Sequence, residues 1–321
     1  MEAIRLHAYG PAANLRLETL PDPVPGPDEV RIAVHAVGLH FIETLLRQGK
    51  PVGPHPAPPL PAVLGGEVAG VVESVGEGAP ADLVGRRVVT SDVTSGGYAS
   101  LAVAGADTLA TLPDHVDYGA AVAMNTTGAT TFGLLELAPL SASDVVLATA
   151  AAGGIGTLLV QYARAVGARV VGAAGGPAKV LRAEELGADL AVDYLRPGWD
   201  KAVREAFGEV SVLFDGVGGE LGRAAYGLLG RGGRHVVFGS AAGEWFFPEP
   251  EEAAARGVTV YDGIGHLLGR GGMADLCARA LDAVADGSLT PAVQSFPLAR
   301  AADAHEALES RNTMGKVILV P

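Results

Sequence analysis

Cysteine is almost missing: Cys277 is the only one in 321 residues. No disulfide can close within the chain, and one sulfur cannot build a thiolate zinc cluster. Positive charge is scarce too. Lys and Arg total 23 against 36 Asp and Glu, a net charge of −13, which argues against nucleic acid or an anionic membrane as partner. Lysine occurs only at positions 50, 179, 201 and 316. Aromatics make up 5%, so the 49% hydrophobic content is carried largely by Ala, Val and Leu, and the 18% charged fraction leaves much of the chain to be buried between layers. No apolar run reads as a membrane span: the stretch from 145 to 160 is broken by glycines and passes into an amphipathic pattern. No apolar h-region follows Met1–Arg5 and no internal repeat is visible, so a cytoplasmic location is the expectation. The length allows one or two domains with a substantial core.

What the chain does have is concentrated between Asp144 and Lys179. Val145–Ala148 is an apolar run of strand length, and the small-residue turn Ala150–Gly156 follows it. Apolar side chains then recur at Ile155, Leu158, Leu159, Tyr162, Ala163 and Val166, the spacing of an amphipathic helix, with Gly167 where a C-terminal cap belongs. Val170–Ala174 reads as a second buried strand. The turn Ala151-Ala152-Gly153-Gly154-Ile155-Gly156 is a GxGxxG fingerprint with alanine at its first position. Gly153 lets backbone approach a pyrophosphate, Gly156 lets helix pack on strand, and the helix N-terminus presents N–H groups to the phosphates. A glycine turn can be merely structural in a chain with 45 glycines, but the strand–turn–helix setting is the one a Rossmann dinucleotide site requires, and such a site is the expectation.

The end of the second strand selects the cofactor. A site for NADH places Asp or Glu there to hold the ribose 2′-OH. Here Ala173-Ala174-Gly175-Gly176 carries no acid, and Lys179 follows, a cation suited to a 2′-phosphate. NADPH is therefore the expected cofactor.

Residues 1–120 look β-rich: strands are expected over 3–7, 15–19, 30–37, 68–75, 86–90 and 98–103, with a short helix over 41–47 and proline-rich connections at 21–27 and 51–61. In the strand 30–37, Ile32, Val34 and Ala36 are expected on one face and Arg31, His35 and Val37 on the other, and Gly38 is expected to end it. A helix over 120–137 opens a region of alternating strands and helices, which implies a parallel sheet covered on both faces. Ligands bind such sheets at the carboxyl ends of the strands, which marks Asp215-Gly216 and Phe238-Gly239-Ser240 as near the cofactor. A final helix over 273–286 and a strand over 315–320 return to the first domain. The fold class is α/β, with boundaries at 1–124 completed by 266–321, and 125–265.

From end to end the chain resembles the medium-chain dehydrogenase/reductase superfamily, in particular its zinc-independent NADPH:quinone oxidoreductase branch. The resemblance is carried by Gly38-Leu39-His40-Phe41-Ile42-Glu43-Thr44, Gly65-Gly66-Glu67-Val68-Ala69-Gly70, Ala152-Gly153-Gly154-Ile155-Gly156, Phe214-Asp215-Gly216-Val217-Gly218-Gly219 and Leu308-Glu309-Ser310-Arg311. It implies a GroES-like catalytic domain, a Rossmann domain, a cleft between them, and a homodimer paired through the last Rossmann strand near 258–261. It further implies NADPH contacts from Thr130, Lys179, Tyr194, Phe238, Gly239, Ser240 and Arg311. Candidate cleft residues are Phe41, Glu43, Tyr98 and Asn125, with Tyr98 equally suited to the core. The zinc-dependent branch needs a Cys where Leu39-His40 stands and a His where Gly66 stands, so no metal is expected.

The implied reaction is hydride transfer from NADPH to a carbon conjugated to a carbonyl. His40 is the candidate for contacting that carbonyl or delivering a proton, its side chain suiting either role near neutral pH. The alternative for His40 is a structural hydrogen bond to backbone. The branch usually has Asn at position 40 and Asp at 43, so the acceptor remains open: a quinone, an enone or enoyl thioester, or, in another class, a structural NADPH-binding protein with negligible turnover. Trp245 and Phe246-Phe247 lie in a segment after Ser240 that could cover the cleft or pack between subunits.

Overall fold

A computed structural model describes residues 1–321. By internal contacts the chain divides into two units, Met1–Thr126 with Ala280–Pro321, and Thr127–Arg279.

The second unit is built on a six-stranded sheet, and every adjacent pair in it is parallel. Across the sheet the strands run Leu190–Asp193, Arg169–Ala174, Val145–Thr149, Val210–Asp215, Leu229–Val237 and Thr259–Asp262. Counted along the chain this is the order 3-2-1-4-5-6, the Rossmann arrangement, and the order reverses between Val145–Thr149 and Val210–Asp215. Those two strands are apolar almost throughout because both faces are covered; all five residues of Val145–Thr149 are buried. The residues from 266 to 279 also belong here, beyond the expected boundary at 265. Leu267 and Leu276 pack where Gly133 leaves room, and Arg270 and Arg279 pair with Glu136 at 2.7 and 2.5 Å.

The first unit is organised on the eleven-residue strand Glu29–Leu39. Glu67–Val75 pairs along most of its length. Its other partners divide it, with Leu101–Gly105 against residues 29–33 and Lys316–Val320 against residues 37–39, all antiparallel. The register with Glu67–Val75 shifts between Val34 and Ala36, a bulge centred on His35. One extra residue reverses the alternation beyond it. Ile32, Val34, Val37 and Leu39 therefore share one core, while Ala36 joins Ala69, Val89, Val122 and Ile318 in another. This corrects the simple alternation expected from sequence. Gly38 does not end the strand, which continues to Leu39.

The helix expected over 120–137 is three segments: α-helix Tyr118–Val122, a π-helical stretch Ala123–Gly128, and α-helix Ala129–Leu137. Helices Pro250–Arg256, Gly263–Gly269 and Ala301–Glu309 were not legible as periodic segments.

Candidate active site

In the second unit, the glycine turn lies at the carboxyl end of Val145–Thr149 and opens the helix Gly154–Ala165. A Cβ on Gly156 would stand 2.8 Å from Ala151 Cα and closer still to the Ala150 carbonyl, so only glycine lets the helix meet the turn. Gly153 is the N-cap, and no side chain caps the helix. Its first N–H groups thus face outward as donors for an anion.

At the end of Arg169–Ala174, Gly176 has φ +88° and begins the helix Pro177–Glu185, which carries Lys179 in its first turn. A Cβ on Gly175 would lie 3.1 Å from the Tyr194 ring, so Gly175, Lys179 and Tyr194 share this corner. The carboxylate here comes from the neighbouring strand: Asp193 accepts from the backbone N–H of Gly176 at 2.9 Å and of Leu195 at 3.1 Å. Those backbone bonds, the one from Gly176 foremost, hold its carboxyl below the usual range. Asp193 is thus committed to shaping the turn.

On the other side of the switch point, Asp215 is wholly buried. One of its oxygens accepts from Thr149 Oγ1 at 3.0 Å and from the N–H groups of Val217 and Gly218 at 2.9 and 3.1 Å. Thr149 Oγ1 in turn accepts the Gly216 N–H at 2.9 Å. Burial pushes the Asp215 carboxyl upward, but the neighbouring His235 and those backbone donors outweigh it and the net shift is downward. Gly216 packs on the Phe238 ring and on Gly239, each position too close for a Cβ. Gly216, Phe238, Gly239 and Ser240 thus form one ledge at the carboxyl edge of the sheet. Thr130 lies in the first turn of Ala129–Leu137 in the same unit.

In the first unit, His40 is the N-cap of the helix Phe41–Arg47 in a capping box, its N–H donating to Glu43 Oε2 at 2.8 Å. Its ring meets two charges that sequence distance conceals. His40 Nε2 lies 2.9 Å from Glu67 Oε2, and Lys316 Nζ lies 3.0 Å from His40 Nε2, 3.2 Å from His40 Nδ1 and 3.1 Å from Glu67 Oε2. The other Glu67 oxygen accepts from Asn125 Nδ2 at 3.2 Å and from the Thr126 N–H at 2.9 Å, the latter supplied by the π-helical stretch. The Glu67 side chain is 1% exposed, that of Lys316 5% and that of His40 23%, so the imidazole is the member solvent reaches. Burial alone would raise the Glu67 carboxyl, yet the Lys316 ammonium and then His40 hold it well below the carboxylate range.

Three expected cleft residues are instead buried partners. Tyr98 is fully buried, and its hydroxyl donates to Glu43 Oε2 at 2.9 Å and lies 3.0 Å from His305 Nε2. Arg47 Nε donates to His305 Nδ1 at 3.3 Å, and Arg47 pairs with Glu309 at 2.5 Å. Because Nδ1 accepts, the imidazole proton of His305 sits on Nε2 and faces Tyr98. Asn125, 4% exposed, is spent on Glu67. Phe41, by contrast, is 39% exposed and carries the Arg311 guanidinium 4.7 Å over its ring; Arg311 holds φ +60° just after the helix Ala301–Glu309.

Comparison with known proteins fits this geometry. The Alcohol dehydrogenase GroES-like domain profile matches residues 26–130 and the Zinc-binding dehydrogenase profile residues 154–283. A quinone oxidoreductase of Salmonella typhimurium (strain LT2) is 33% identical over 333 aligned positions, covering 99% of each chain. The chain belongs to the quinone oxidoreductase family of medium-chain dehydrogenases/reductases. An Escherichia coli quinone oxidoreductase solved with NADPH superposes at a TM-score of 0.86, with 30% identity and complete coverage of both chains. A 2-haloacrylate reductase of a Burkholderia species is 31% identical over 98% of each chain. Although one matching profile is named for zinc, the donor set here does not suit it. His40 Nε2 and Glu67 Oε2 converge, but the third group within 3.2 Å of them is the Lys316 ammonium, itself a cation.

Proposed function

We propose that this quinone oxidoreductase family member reduces a quinone or similar conjugated carbonyl with NADPH. The observation that carries the reading is the corner after Arg169–Ala174: an acid-free strand end, a left-handed Gly176 and Lys179 in the first turn of the next helix. That corner suits a 2′-phosphate. The full-length relatives named quinone oxidoreductase support the acceptor class. Gly153, Gly154, Ile155 and Gly156 hold the pyrophosphate; Gly175, Lys179 and Tyr194 hold the 2′-phosphate end. Thr130, Gly216, Phe238, Gly239, Ser240 and Arg311 complete the cofactor contacts.

NADPH supplies the hydride, and the protein's work is to orient and to stabilise charge. Reduction of a conjugated carbonyl moves an electron pair onto oxygen, and that oxyanion needs donors. The His40–Glu67–Lys316 cluster is assigned to this end of the substrate, with His40 as its solvent-reached member. The working form is a homodimer in the cytoplasm. Thr259–Asp262, an edge strand of the six-stranded sheet, is the proposed pairing edge. None of the helices is long and apolar enough to cross a membrane.

A second reading, reduction of an enone or α,β-unsaturated acyl group, is favoured by His40 itself, which stands where the quinone-reducing branch usually has Asn. The 31% identity with a 2-haloacrylate reductase points the same way. NADPH fluorescence loss with 1,4-benzoquinone in one cell and an acyclic enone in another separates the two. Fast loss with the quinone and little with the enone supports the first reading, and the reverse supports the second. Bound NADPH with no loss in either cell overturns both.

A further inference from the structure

The Glu67–His40–Lys316 triangle has an internal logic of donors and acceptors. A carboxylate only accepts, and an ammonium only donates. His40 Nε2 is 2.9 Å from Glu67 Oε2, so Nε2 carries the ring proton. Lys316 Nζ stands 3.0 Å from Nε2 and 3.2 Å from Nδ1; with Nε2–H given to Glu67, Nδ1 is the lone-pair nitrogen and the one able to accept from the ammonium. Both nitrogens of the neutral ring are committed, and neutral His40 has no N–H left to offer a substrate oxygen. Lys316 does: of its three N–H bonds, one goes to Glu67 Oε2 at 3.1 Å and one to the imidazole. The third is uncommitted in a side chain only 5% exposed. An ammonium held this way, with its charge partly balanced by one carboxylate, is a strong hydrogen-bond donor in a poorly solvated place.

We propose that Lys316 is the proton donor of the reaction and that His40 and Glu67 are the residues that aim it. This rests on the reading of the protein as a reductase of conjugated carbonyls. As a carbon–hydrogen bond forms with the arriving hydride, the carbon–carbon or carbon–oxygen π pair moves to the carbonyl oxygen. That oxygen takes a proton from Lys316 Nζ, the N–H bond breaks, and Lys316 is left as a neutral amine. Water then restores the ammonium by giving a proton to the Lys316 amine, while His40 keeps both of its hydrogen bonds. Glu67 stays ionised throughout. Overall, one hydride and one proton are consumed per acceptor reduced.

Two experiments decide it. The first needs no turnover. Nitrogen-15 spectra of histidine-labelled protein report the tautomer, and His40 is expected with its proton on Nε2; a proton resting on Nδ1 overturns the assignment whether or not the protein reduces anything. The second compares Lys316→Met with wild type on two acceptors, after NADPH affinity has been shown to stay within about twofold. The benzoquinone product anion is weakly basic, and an acyclic enolate is strongly basic. Loss of the donor is therefore expected to lower kcat at least about tenfold more for the enone than for the quinone. Lys316→Arg, which keeps charge but does not give up a proton, is expected to leave the enone defect largely in place. Equal losses on both acceptors, or full rescue by Arg, overturn the proposal. A wild type that reduces neither acceptor sinks the reductase reading, and the tautomer result still stands on its own.

Discussion

Gly38 faces Glu67 across the antiparallel pair formed by Glu29–Leu39 and Glu67–Val75, and a methyl group on Gly38 would overlap Glu67 Oε2. It would also stand 2.9 Å from Val122 Cγ1. The missing side chain at position 38 is therefore what lets a buried carboxylate reach His40 and Lys316. Gly38→Ala is expected to cost about 1–3 kcal/mol of stability through overpacking and to weaken turnover with it. Denaturant unfolding read alongside kcat checks both, and an unchanged midpoint would show that the strand pair has room to spare.

The imidazole at position 40 is the cluster's contact with solvent. His40→Ala is expected to lower kcat/KM by about tenfold or more, in the range of losses for groups serving proton transfer, while NADPH affinity stays nearly constant. Steady-state kinetics with a separate fluorescence titration of NADPH tests it; a kcat/KM equal to wild type would reduce His40 to a helix cap.

Under the proposed function, cofactor choice is assigned to Lys179 and the acid-free end of Arg169–Ala174. Lys179→Ala is expected to weaken NADPH by about 10- to 150-fold and leave NADH unaffected, since the lost contact is a charge-assisted bond worth roughly 1.5–3 kcal/mol. Ala174→Asp is expected to reverse the preference by repelling the 2′-phosphate. Paired dissociation constants for the two cofactors are the measurement, and equal weakening of both would move the 2′-phosphate site elsewhere.

Acid should loosen the first unit in a defined window. Burial, and then the Arg47 guanidinium, push His305 from the ordinary 6.5 down to about 3. The unfolded chain therefore takes up this proton before the folded one does. The stabilisation is complete above about 6.5 and is lost progressively as pH falls toward 3, by up to about 4 kcal/mol. Glu67, with a depressed carboxyl, adds its own loss only below its ordinary 4.5. Stability measured against pH for wild type and His305→Gln should show the variant flatter between 6.5 and about 4.5. Identical slopes would mean that another group titrates there.

Much of the second unit could be read directly, because its signals are local. The strand, turn and helix over 144–179 sit within one βαβ unit, and periodicity and glycine placement resolve such units well. The first unit hid its site because the decisive contacts are non-local. Lys316 lies 276 positions from His40, and only folding brings them to 3.0 Å. One hint was available: a lysine opening the otherwise apolar strand Lys316–Val320 must find a partner if it is buried. Tyr98 and Glu43 were drawn toward the cleft by their chemistry, yet each is satisfied by the other in the interior. The helix Ala301–Glu309 carries little periodic contrast, because two of its three buried residues are alanines.

The bulge at His35 reaches beyond register. By switching faces part-way, a single strand becomes the shared wall of two hydrophobic compartments, with Ile32, Val34, Val37 and Leu39 in one and Ala36 in the other. Neither compartment can open without unpairing a segment the other depends on. The first unit is thereby bound to lose its structure cooperatively, and amides on both sides of the bulge should exchange with solvent at a common rate set by that one event.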